Sequence, residues 1–96
     1  MTRRLLVVTA AVAFALTAAW AADTGKDLVQ RLGCMGCHSL AGKGGGKGPK
    51  FDGVGSRLTP EAIKKQIVSP RGRMPNFAHL KAEELDAVVQ YLSGLK

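Results

Sequence analysis

An all-α domain is what this sequence predicts, on three observations. The chain has 96 residues, 46% hydrophobic and 22% charged, a balance that supports one core and excludes both a multidomain enzyme and an extended disordered chain. Three segments carry apolar residues at helical spacing. No segment alternates apolar and polar residues over strand length, and no internal repeat is present.

The first segment stands apart from that domain. Arg3 and Arg4 precede an apolar stretch from Leu5 to Ala19 broken only by Thr9 and Thr17, and Ala19-Trp20-Ala21 follows. A basic start, a short apolar run and an A-x-A site are the parts of a secretory signal peptide, so residues 1–21 are expected to be cleaved and 22–96 to form the domain. Arg3-Arg4-Leu5-Leu6 also has a faint likeness to a twin-arginine export signal. An uncleaved membrane anchor is the alternative, but a span wants roughly 20 apolar residues, and this run reaches that only by recruiting its terminal alanines.

Behind Asp23 and Thr24, which can cap, Leu28, Val29 and Leu32 predict a short amphipathic helix from Thr24 to Gly33, ending directly on Cys34. Gly42 to Pro49 holds five glycines in eight residues and is expected to be a flexible loop. It is not a phosphate loop, because Lys47 is followed by Gly48 where Ser or Thr is needed, and a helix rather than a strand precedes it. Thr59 followed by Pro60 reads as an N-cap with proline at the first helical position, and Ile63, Ile67 and Val68 form one stripe before Pro70 stops the helix. The last helix carries Leu85, Val88, Val89 and Leu92 on one face, Glu83 and Glu84 near its start, and Gly94 as its C′ residue. So small a domain has a marginal core and normally needs a staple.

Both cysteines fall in one run, Cys34-Met35-Gly36-Cys37-His38, and C-x-x-C-H in an exported chain is the attachment pattern of c-type haem. Two thiols at this spacing can each form a thioether to one porphyrin vinyl group, and the adjacent imidazole then meets the iron from one face. A zinc site needs three or four ligands, and the other histidine, His79, lacks a partner motif. A thioredoxin-like dithiol needs a βαβ context, and a disulfide closing so short a loop removes little entropy. For the opposite face of the iron, Met35 is tethered within the attachment loop, whereas Met74 lies in the irregular stretch Ser69–Phe77 between two helices. Met74 is the expected sixth ligand, with His79 as its rival and core filling as the ordinary use of a methionine.

With these motifs in this order, the chain from Gly25 to about Leu95 resembles the small monohaem class I c-type cytochromes of exported bacterial type: Cys34 to His38, Gly48-Pro49, Gly53-Val54-Gly55 with Arg57, Arg73-Met74-Pro75, and a C-terminal amphipathic helix. The resemblance implies a cytochrome c fold, three to four short helices wrapped around one haem c held covalently by Cys34 and Cys37. It implies that His38 and Met74 ligate the iron and that the Pro49 carbonyl accepts from Nδ1–H of His38. It places Arg57 where similar proteins reach a haem propionate, a solvated arginine being the alternative. It sets Gly25 at a crossing of the first and last helices, opposite Tyr91 or Leu92. Val29 stands where relatives have an aromatic, and Lys81 replaces the usual Ser or Thr cap.

The expected function is periplasmic electron transfer between redox partners, without bond chemistry on a substrate and so without enzyme activity. Leu40, Phe51, Val54, Leu58, Phe77 and Leu85 are the expected pocket walls, though each also suits an ordinary core. Lys and Arg number 14 against 7 Asp and Glu, a formal +7 that favours acidic protein partners. Lys43, Lys47, Lys50, Arg71 and Arg73 flank the haem motifs and are candidates for docking, or for a merely solvated surface. Aromatics at 5% argue against nucleic-acid binding, and membrane contact is expected only through partners unless the leader is retained. The alternative is a haem-bearing subunit of a stable complex, such as a sulfur-oxidation or oxidase assembly, or a haem-based ligand sensor. Met74 argues against the sensor.

Overall fold

The computed structural model describes residues 24–96, and the expected leader and domain boundary at 21 lie outside them. Four helices are present among the described residues: α1 over 24–31, α2 over Val54–Arg57, α3 over Pro60–Val68 and α4 over Ala82–Ser93. A 3-10 turn, Cys34–Gly36, and a minimal antiparallel pair, β1 (Ser39–Leu40) with β2 (Lys43–Gly44), connect α1 to the rest. Among these residues no helix is long and apolar enough to cross a membrane.

Local chemistry sets the helix ends. The Thr59 hydroxyl accepts from Ala62 N–H at 3.2 Å and Pro60 occupies the first helical position, so α3 starts where a capped helix should. At α4 the Glu84 carboxylate accepts from Lys81 N–H at 3.1 Å. The ammonium of Lys81 has no acceptor atom to complete a reciprocal box, so only half of that cap is available. Gly94, expected at C′, is instead the C-cap of α4 at φ −79°, with its N–H bonded to Gln90 O.

The core joins Leu28 and Val29 of α1, Ile63 and Ile67 of α3, and Leu85, Val88, Val89 and Leu92 of α4 with Phe51 and Val54, all buried. Full burial of such a side chain contributes about 1.5–3 kcal/mol, and the aliphatic Val29 is 2% exposed, so it packs fully without an aromatic ring. Helices α2 and α3 both pack on α4.

Gly25 lets α1 cross α4 at close range. A Cβ there would strike the Ala87 carbonyl oxygen and lie 2.7 Å from Tyr91 Cβ, which identifies Tyr91 as the opposing residue. Glycine to alanine in a helix normally gains about 0.5–1 kcal/mol, whereas overpacking costs about 1–3 kcal/mol. Gly25→Ala is therefore expected to destabilise the fold by about 2 kcal/mol. Chemical denaturation of the haem-loaded protein measures it, and equal or greater stability in the variant would refute the close crossing.

Candidate functional site

The site is assembled on the tight turn that follows α1. Cys37 and His38 both donate their backbone N–H to Cys34 O, at 3.3 and 3.0 Å, which brings two thiols and one imidazole onto a single turn. Both cysteines are free; Cys34 is half-buried and Cys37 exposed. Burial pushes the Cys34 thiol above its ordinary pKa, because the thiolate loses hydration there.

His38 is held from several sides. Its Nδ1 lies 2.7 Å from the Pro49 carbonyl oxygen. A carbonyl only accepts, so Nδ1 carries the proton and Nε2 keeps its lone pair free to bind a metal. The ring stacks on Phe51 at 4.5 Å between centroids and 14° between planes. A Cβ on Gly48 would come within 2.7 Å of His38 Cε1, so only glycine leaves the imidazole its place.

The glycine-rich segment, mostly loop as its composition suggests, is tied at several points to the cysteine turn. Ser39 pairs with Gly44 and Leu40 with Lys43, Gly45 N–H donates to Met35 O at 2.8 Å, and Gly48 N–H donates to Cys37 O at 2.8 Å. A Cβ on Gly45 would collide with the Gly36 carbonyl. The segment is laid directly over the cysteine turn, and side chains at Gly44, Gly45 and Gly48 would prevent the approach. The Met35 methyl end lies against Gly44, which places this methionine under the strap.

Arg57 braces the same region from below: Nη1 donates to Asp52 O at 2.6 Å and Nη2 to Lys50 O at 2.7 Å. Asp52 in turn accepts from Ala41 N–H at 3.1 Å, at a residue with φ 54°. The guanidinium thus secures the backbone on either side of Phe51, two residues from the Pro49 carbonyl that orients His38.

Met74 lies half-buried against the same core that Cys34 and Met35 border. The amide of Gln66 on α3 donates to its Sδ at 3.7 Å, a contact between residues that share no motif in the sequence. His79 is exposed, tilted against Phe77 with centroids 6.1 Å apart. Lys43, Lys47, Lys50, Arg71 and Arg73 are all exposed. Of the expected walls, Phe51, Val54 and Leu85 are buried and Leu40 and Phe77 half-buried, whereas Leu58 is 42% exposed.

This donor set fits a c-type haem. Two free thiols on one turn match two vinyl groups, an imidazole with Nδ1 already committed suits an iron ligand, and half-buried Leu32, Leu40, Met74 and Phe77 pack on the same core as Cys34. Zinc does not fit: among the described residues no three His, Cys, Asp or Glu side chains come together to hold a metal ion.

Comparison with known proteins agrees with the chemistry. Cytochrome c oxidase subunit 2 of Alkalihalophilus pseudofirmus is 27% identical over 88 residues, covering 78% of this chain. The match covers 26% of that protein, so the chain corresponds to about a quarter of the relative's length. No solved structure matches. Residues 21–92 match the family described as cytochrome c oxidase, cbb3-type, subunit III. Since that match encloses the Cys34–His38 turn, the strap over it and Met74, the chain belongs to this family of cytochrome c domains, whose work is haem-based electron transfer and whose cofactor here is one covalent haem c.

Proposed function

We propose that the chain is a periplasmic electron carrier in which Cys34 and Cys37 form the two thioethers and His38 and Met74 ligate the iron. The observation that carries this reading is the 2.7 Å bond from His38 Nδ1 to the Pro49 carbonyl, which frees Nε2 for a metal beside two free thiols. When bound, the haem supplies a one-electron Fe(II)/Fe(III) couple. The chain's own residues attach it, orient the imidazole through Pro49, Gly48 and Phe51, and screen it from water with apolar side chains. Arg57, already bonded to two carbonyls, retains N–H groups that suit a propionate. The basic start and apolar run of residues 3–19 support export.

A second reading is favoured by the family itself, whose description is that of an oxidase subunit: the domain works inside a permanent redox complex. Salt separates the two. A diffusing carrier steered by exposed Lys43, Lys47 and Lys50 is expected to exchange electrons with an acidic partner more slowly as salt rises, since screening shortens the reach of charge to about 8 Å at physiological ionic strength. Changing the three lysines together to Gln should mimic added salt and leave the absorption spectrum unaltered. Stopped-flow oxidation and reduction across a salt series checks this. Co-purification with a partner, with electron transfer inside the complex insensitive to salt, would establish the subunit reading instead.

A further inference from the structure

We propose that Gln66 is a positioning residue for the Met74 sulfur: its amide N–H occupies one sulfur lone pair, orients the other for coordination, and shifts the iron toward its reduced state. The inference deepens the ligand assignment above and rests on it. Gln66 stands on α3 between the buried Ile63 and Ile67 and is half-buried, an unusual place for an amide unless it is spoken for. Its side-chain contacts all reach the following loop. Oε1 accepts from Arg71 N–H at 3.5 Å, while Nε2 donates to Arg71 O at 3.4 Å and to Met74 Sδ at 3.7 Å.

The amide orientation follows from this set. Arg71 N–H requires an oxygen opposite it, which leaves the NH2 group, with its two protons, for the Arg71 carbonyl and the sulfur. The next residue of α3 fixes the far side of the loop, since the Ile67 carbonyl accepts from Phe77 N–H at 3.0 Å. Consecutive residues of one helix therefore bracket the loop that carries Met74, and of the two it is Gln66 that reaches the sulfur.

A hydrogen bond to a thioether draws electron density from it. A poorer donor stabilises Fe(III) less than Fe(II), so the bond favours reduction, and hydrogen bonding around axial ligands is one of the protein's levers on potential. A net hydrogen bond is worth about 1 kcal/mol and only its difference between the two oxidation states moves the reduction equilibrium, which sets the effect at up to about fivefold.

Two variants isolate the N–H. Gln66→Leu removes it without adding charge, and Gln66→Glu removes it at neutral pH while keeping an acceptor for Arg71 N–H. In the haem-loaded protein both are expected to retain the weak long-wavelength absorption of a thioether-ligated ferric haem. Both should move the equilibrium against a redox mediator toward Fe(III), by up to about fivefold in the Leu variant, and displace the Met74 methyl resonance. A shift in the Glu variant alone would be an effect of charge, a shift in the Leu variant alone an effect of the Arg71 anchor, and a shift in neither would mean that the amide does not act on the sulfur; each overturns the proposal. If the thioether absorption is missing from the unaltered protein, the ligand assignment fails and takes the proposal with it. If it is present and unmoved in both variants along with the equilibrium, Met74 remains the ligand and only the role of Gln66 is lost.

Discussion

Replacing Cys34 and Cys37 together by Ser is expected to abolish covalent haem and leave the polypeptide largely unfolded. Each thiol supplies one thioether, so a single replacement weakens attachment and the double replacement ends it. The folding consequence comes from the size of the core. Among the described residues eleven apolar side chains are buried, the largest of them Phe51, while Leu32, Leu40, Met74 and Phe77 stay half-buried at its margin. A domain this small rarely retains more than about 3–5 kcal/mol from such a core, and it has no disulfide to supplement it. Acid-acetone extraction reports attachment, since colour that stays with the polypeptide is covalent, and far-ultraviolet circular dichroism reports helix. Full covalent haem in the double variant would remove the attachment assignment. Native helix content without haem would remove only the folding claim.

The helices were legible in the sequence where their signals are local. Thr59-Pro60 announces α3 because the cap hydroxyl and the ring act within one turn, and the stripe Leu85, Val88, Val89 and Leu92 is long enough to show a period. Helix α2 has only the four residues Val54–Arg57, too few for any period, and its place is set by packing on α4. The close approach of the glycine strap to the cysteine turn is hidden from the sequence for a related reason. Composition reports that glycines lack side chains, but the carbonyls of Gly36 and His38 that require their absence at Gly45 and Gly44 belong to the cysteine turn before the strap, and only the fold reveals that approach. Gln66 carries no such signal, because the apolar stripe of α3 steps from Ile63 to Ile67 over it. The available signal was an amide beside that stripe, eight residues before the methionine it contacts.

Met74→Ala is expected to produce the other large effect, a change of spin state and a fall in reduction potential. A thioether is a soft ligand that favours Fe(II) over Fe(III), and its loss leaves a position for water, a nearby side chain or added ligand. Axial ligands move haem potentials across roughly 0.8 V, so a fall on the order of 0.1 V or more is the scale to look for. Met35→Leu is the matched control. It too removes a half-buried sulfur bordering the core, but that methyl end lies against Gly44 in the strap over the cysteine turn, so spectrum and potential should stay as they are. Binding of carbon monoxide or cyanide near neutral pH separates the outcomes: the unaltered protein should resist these ligands and Met74→Ala should take them up. Since Gln66 then faces no sulfur, Gln66→Leu added to Met74→Ala should change the potential less than it does alone. Unchanged ligand resonances and potential in Met74→Ala would pass the role to His79 or another group, and with it the reading of the loop between α3 and α4 as the distal side of the site.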